Sequence, residues 1–174
     1  MITMKKLRFL LMSIVLATTL VGCGSNDEKT GGKPNESELQ PGFKQEEFGY
    51  ISIHVPNEFG EVVNKDGIYV MAGPESSITV TPTMGIDIFP SEWNEEVTSG
   101  YLTEIYSSTF ANIEIAAFEG NVNMNGNEAV YYAFTGINAN GKVRLVQLLR
   151  IFNADLTAQY LVTFIHNADD AFFT

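Results

Sequence analysis

His54 and His166 are the only imidazoles in the chain, so any catalysis that relies on histidine to titrate near neutral pH must begin with them. A Ser-His-acid triad would also need a serine raised on a Gly-x-Ser-x-Gly elbow, and no such elbow occurs. Both histidines fall near strand ends, where edge or packing roles are expected. A zinc site needs three or four ligands at suitable spacing, but the sequence holds no His-Glu-x-x-His and only one cysteine, Cys23. Phosphate-cradling Gly loops are absent. Asn121 to Gly126 opens like a calcium loop, yet its twelfth position, where a bidentate acid belongs, is Tyr132. A hairpin turn at Asn125-Gly126 explains that segment without a metal. Glu92, Glu95 and Glu96 could gather a divalent ion weakly, although acids so placed usually form the solvated first turn of a helix. Trp93 beside them suits a core anchor better than a ligand platform. Lys142, Arg144 and Arg150 are the only basic concentration in an acidic domain, and Arg144 and Arg150 share strand parity. They are the candidate partner-binding residues, suited to an acidic partner; the competing expectation is that they offset neighbouring acids. These residues lead us to expect no catalytic residue, no metal and no cofactor. The rival classes are a hydrolase or metal-dependent enzyme using His54 or His166, and a small-molecule or ion receptor.

The N-terminus carries an address. Lys5, Lys6 and Arg8 form a positive segment, and apart from Arg8 the run from Leu7 to Leu20 is apolar except at Ser13, Thr18 and Thr19. Crossing ~30 Å of hydrocarbon takes about 20 apolar residues, so this shorter run is expected to be a cleaved export signal. It ends in Leu20-Val21-Gly22-Cys23, which resembles the bacterial lipoprotein signal. The resemblance implies removal of residues 1–22, a diacylglycerol on the Cys23 thiol, and a new N-terminus at that cysteine. Palmitate-type acyl chains would then hold the protein on the extracytoplasmic face of a cell membrane, since two or more chains anchor stably where one is marginal. With no second cysteine, a structural disulfide is ruled out.

Residues 24–42 contain Leu39 as their only large aliphatic side chain and cannot bury enough area to offset ordering entropy. Residues 23–42 are therefore expected to be a disordered tether from the lipidated cysteine. Removal of residues 1–22 takes three of ten basic residues and none of 21 acids, leaving 7 − 21 = −14. Such a charge argues against nucleic acid and anionic head groups as partners.

Residues 43–174 suit a single domain. Phe48 to Val55 alternates in polarity and stops at Pro56, as a strand would; Gly67–Ala72 and Ser77–Thr81 follow as short strands. Trp93, Val97, Tyr101 and Ile105 recur every four residues, predicting a helix of roughly 15 to 18 residues with Ser91 as N-cap. An antiparallel meander is then expected over Ile113–Met124, Glu128–Thr135, Val143–Phe152 and Ala158–His166, with Asn125-Gly126 and Asn140-Gly141 supplying positive φ at its turns. In the last two strands both parities are apolar, so both faces of the sheet must be covered.

This order, with Tyr131-Tyr132-Ala133-Phe134 after an Asn-Gly turn and Gln159-Tyr160-Leu161-Val162-Thr163-Phe164 near the end, resembles the PsbP and DcrB type of domain, including LpqN-like lipoproteins. The resemblance implies an α+β fold: an antiparallel sheet with helices on both faces, an α/β/α sandwich. The final helix would be largely missing, because Asp169 to Thr174 only begins it. It also implies a non-enzymatic binding or accessory role beside another envelope protein.

Overall fold

The computed structural model describes residues 41–49, 51–124 and 126–169. The expected signal, Cys23, nearly all of the tether and residues 170–174 lie outside them. Among the described residues the chain builds a seven-stranded antiparallel sheet in the order β3-β4-β5-β9-β8-β7-β6. Its members are β3 (Val63–Lys65), β4 (Ile68–Ala72), β5 (Ser77–Met84), β6 (Ala111–Met124), β7 (Asn127–Ile137), β8 (Val143–Phe152) and β9 (Ala158–Asn167). The meander is as the sequence alternation predicts, and Gly126 at φ 86° makes the tight turn from β6 to β7.

The helix is shorter than the four-residue repeat suggests. Pro90–Glu92 forms a 3₁₀ turn, and the α-helix α1 occupies only Glu95–Tyr106. Its N-cap is Asn94 rather than Ser91: the Asn94 side chain accepts from the amides of Glu96 and Val97, both at 3.0 Å. Thr98 and Leu102 point into the core from α1, while Trp93 reaches it from the preceding turn.

Strand parity divides the core into two layers. Val130, Tyr132 and Phe134 of β7 and Val146, Leu148 and Phe152 of β8 face Trp93, Leu102 and Phe110. On the opposite face, Leu145, Leu149 and Ile151 of β8, together with Val162 and Phe164 of β9, meet Phe48, Ile51, Ile53 and Val55. That second layer corrects the expected architecture. It is not a helix but a β-hairpin, β1 (Phe43–Phe48) and β2 (Ile51–Pro56), which forms a two-stranded sheet of its own. The expectation of helices on both faces fails because one alternating face of a hairpin buries an apolar sheet as a helical stripe would. The stretch Phe48 to Val55 is not one strand: Gly49 at φ 70° turns the chain and pairs Phe48 with Ile51. The result is a mainly antiparallel β-fold with one α-helix among the described residues.

Candidate functional site

Lys142 and Arg144 sit where β7 turns into β8, and register aligns that end of β8 with the end of β9: Arg144 pairs with Asn167. The connection is held by Asn138, whose side-chain oxygen accepts from the amides of Asn140 and Lys142, both at 3.0 Å. Lys142 is thereby presented on an ordered loop. The turn between β4 and β5, closed by a 2.9 Å bond from the Gly73 amide to the Ser76 carbonyl, brings Glu75 to the same place.

Glu75 is the hub of this junction. The Lys142 ammonium lies 3.3 Å from its carboxylate, with both side chains 54% exposed. The Asn167 amide also donates to that carboxylate, and Arg144 donates to the Glu75 carbonyl and, at 2.6 Å, to Asn167. Hydrogen bonds from Asn167 and Lys142, assisted by the lysine charge, hold the Glu75 carboxyl below the usual carboxylate range. The expected basic spot is thus a mixed-charge cluster. Beside it lies an open, shallow depression bordered by Pro74, Ser76, Thr109, Asn140, Lys142 and Ile165. Phe110 forms part of its wall, packed so closely on Gly136 that a Cβ there would lie 2.9 Å from the Phe110 Cβ.

Arg150 does not join this cluster. It shares a face with Arg144, as parity requires, but six residues along β8 that face is core. Arg150 is 7% exposed, with its guanidinium 4.8 Å from the Trp93 ring centre and 5.0 Å from that of Tyr101. It donates to the Gln159 side-chain oxygen at 2.6 Å and to the Tyr132 hydroxyl at 3.4 Å. Trp93 stacks on Tyr132 at 5.5 Å and meets Tyr101 edge-on at 5.4 Å. Burial raises the Tyr132 phenol above its ordinary range, against the pull of Arg150. Arg150 therefore fastens the helical layer to the sheet. Its neighbours of like parity, Leu148 and Phe152, were the signal that this position lies inside.

The remaining candidates are structural in their placement. His166 is fully buried on β9, with Nδ1 2.9 Å from the Asn167 carbonyl oxygen and its ring 5.1 Å from that of Phe164. His54 is buried on β2, in the hairpin layer. Glu92 accepts from the Phe89 amide at 2.7 Å, and Glu95 and Glu96 occupy the first turn of α1. The Asn123 side chain accepts from the Gly126 amide at 3.0 Å, which is a turn bond, and Tyr132 of the would-be calcium loop is in the core. Among the described residues no group of three His, Cys, Asp or Glu is placed to hold a metal. Sequence reasoning missed Glu75 and Asn167. Each is an unremarkable polar residue distant in sequence from Lys142, and only the pairing of β5 with β9 and β9 with β8 brings them together.

No protein-family model matches the sequence, and no curated protein matches it. Solved structures do share its fold. The Saccharomyces cerevisiae Ran-binding protein Mog1p is similar over 72% of this chain and 77% of its own, with a TM-score of 0.52 at 15% identity. A mutant of Mog1 gives the same TM-score and identity over 74% of this chain and 79% of its own. The cyanobacterial PsbP (CyanoP) of Synechocystis sp. PCC 6803 is similar over 68% of this chain and 75% of its own, with a TM-score of 0.50 at 11% identity. The chain has a Mog1- and PsbP-like fold, as the expected resemblance to PsbP implied.

Proposed function

We propose that the chain is a membrane-anchored extracytoplasmic lipoprotein, tethered through Cys23, whose folded domain is a non-enzymatic binding or accessory module for another envelope protein. What carries the binding reading is the depression beside Lys142: polar, shallow and open, with its cation presented by an ordered loop. Small-molecule sites are concave and bury most of their ligand, whereas an open rim suits a protein surface. A fold shared with a Ran-binding protein agrees with a role in protein contact. The non-enzymatic reading is favoured by the burial of both histidines within the layers. Membrane attachment rests on Leu20 to Cys23 and the charged and apolar segments before them.

Pull-down from detergent-solubilised membranes with the native lipidated protein tests the module. Lys142→Glu should reduce partner recovery several-fold and leave folding unchanged, because the pair it breaks is solvent-exposed and such surface pairs add little to stability. Arg144 is a poorer probe, since its reversal would release the Glu75 turn. Recovery that is indifferent to Lys142→Glu would remove the depression from the proposal. Loss of the biological role in a folded His54→Gln/His166→Gln variant would overturn the non-enzymatic reading.

A further inference from the structure

Four turns of the chain share the pattern Asn-x-Asx-x: Asn64 to Gly67, Asn123 to Gly126, Asn138 to Gly141 and Asn153 to Leu156. The last residue of each has positive φ, from 55° at Leu156 to 86° at Gly126. Its amide donates back to the opening asparagine, to the side chain of Asn64 or Asn123 and to the carbonyl of Asn138 or Asn153. Each opening side-chain oxygen accepts a backbone amide, so these four asparagines are held by the turns they form. Asn140 is placed differently. It is exposed, its carboxamide enters none of the hydrogen bonds of its turn, and among the described residues it is the only asparagine followed by glycine.

That sequence and exposure permit a reaction without an enzyme. Glycine has no Cβ, so its amide nitrogen is the least hindered in approaching the preceding side chain. The Gly141 nitrogen gives up its proton to solvent base and bonds to the Asn140 Cγ, while the carboxamide nitrogen takes a proton and leaves as ammonia, closing a five-membered imide. Water then adds to either imide carbonyl and breaks its bond to the ring nitrogen. One opening leaves an aspartyl residue; the other leaves an isoaspartyl residue, whose main chain runs through the side-chain carbon. Asn138 opposes the first step. Its carbonyl holds the Gly141 N–H at 2.9 Å, and its side-chain oxygen holds the amides of Asn140 and Lys142, both at 3.0 Å.

We propose that Asn140 is a site of spontaneous deamidation, that Asn138 sets its pace, and that its consequence is loss of positive charge at the Lys142 depression. Asn140, Lys142, Arg144 and Glu75 all border that depression, where the two cations exceed the acid by a single charge. A carboxylate at position 140 cancels the excess. The isoaspartyl form also lengthens the main chain between the two amides that Asn138 holds, so Lys142 is no longer presented as before. The modification needs only the turn; its effect on an acidic partner rests on the function proposed above.

Peptide mapping of the folded full-length chain, kept for weeks in mildly alkaline buffer and probed with an isoaspartate-directed methyltransferase, tests the site. Aspartyl and isoaspartyl products should accumulate at Asn140 well ahead of the asparagines that precede other residues. Asn138→Ala should speed them several-fold, whereas Asn138→Asp, which keeps the acceptor oxygen, should react at close to the wild-type rate; melting curves establish that both variants are folded. Products at Asn140 no faster than at those other asparagines, or an unchanged rate in folded Asn138→Ala, overturn the assignment. Asn140→Asp should melt as the wild type does and recover less partner in the pull-down. Recovery lowered by Lys142→Glu but not by Asn140→Asp overturns the charge effect alone. Recovery indifferent to both overturns the depression as a partner site and the charge effect with it, while the peptide map still decides the modification.

Discussion

Arg150 carries a full charge into the core with ring faces and neutral oxygens around it, so its worth depends on geometry that shorter or thinner cations cannot reproduce. A desolvated cation–π contact contributes about 2 kcal/mol, and an unpaired Gln159 oxygen would cost roughly 1–3 kcal/mol. Arg150→Ala should therefore lower unfolding free energy by about 2–4 kcal/mol in denaturant titration, with Arg150→Lys in between and Trp93 fluorescence altered in both. A loss under about 1 kcal/mol for the alanine variant would sink the idea of a clamp between helix and sheet. Glu75 makes the opposite kind of contribution, exposed and dependent on pH. Its folded pKa is depressed, first by the Asn167 and Lys142 hydrogen bonds, so its contribution is present above the unfolded value near 4.5 and disappears as pH falls through the lower folded value. Carboxyl NMR should show Glu75 titrating below the usual carboxylate range, and Lys142→Gln should move it upward. An unchanged Glu75 midpoint in that variant would contradict the lysine's part in the shift.

Among the elements, the hairpin deserves the role that a second helix was expected to fill. Phe48, Ile51, Ile53 and Val55 are each at most 3% exposed, and they alone of β1 and β2 belong to the core beneath the hairpin. Phe48→Ala should cost about 3–5 kcal/mol and Ile53→Ala about 2–5 kcal/mol, the usual range for emptied core positions. Hydrophobic-dye binding should rise in both, since the sheet face they cover is apolar; wild-type-like melting would mean the hairpin is not its cover. The meander was legible because its strands are long apolar-rich runs and Asn-Gly marks two of its three turns, with Gly126 at φ 86° and Gly141 at φ 75°. The second layer was not, because Phe48 to Val55 alternates equally well as one strand or as the two sides of a turn at Gly49, and Phe43 to Glu47 is too polar to announce a strand. Helix α1 was placed but overextended, since Trp93 keeps the four-residue repeat while lying before the cap at Asn94. At the candidate site, Lys142 and Arg144 stood out as cations in an acidic chain. Their partners did not, because register and not sequence proximity selects them.

At the scale of the molecule, the charge is distributed very unevenly. No Lys or Arg occurs between Lys65 and Lys142, a stretch that includes ten acids and builds β4 through β7 with α1. The cations that the structure places elsewhere are largely engaged: Lys44 with Glu46 at 3.0 Å, Lys142 and Arg144 with Glu75 and Asn167, and Arg150 in the core. Acids on the helical side and on β6 therefore repel one another across solvent with little local compensation, which destabilises the compact state. Screening should relieve this. Raising ionic strength from about 0.01 M to about 0.15 M shortens the Debye length from about 30 Å to about 8 Å, so separated acids cease to feel each other. Relief on the order of 1 kcal/mol would raise Tm by about 4 °C. The same change weakens the exposed Lys142–Glu75 pair, but one surface pair is worth too little to reverse the sign. Differential scanning calorimetry across that salt range decides it. A Tm that falls with salt would mean that attractive pairs, and not the uncompensated acids, dominate the electrostatics of the folded chain.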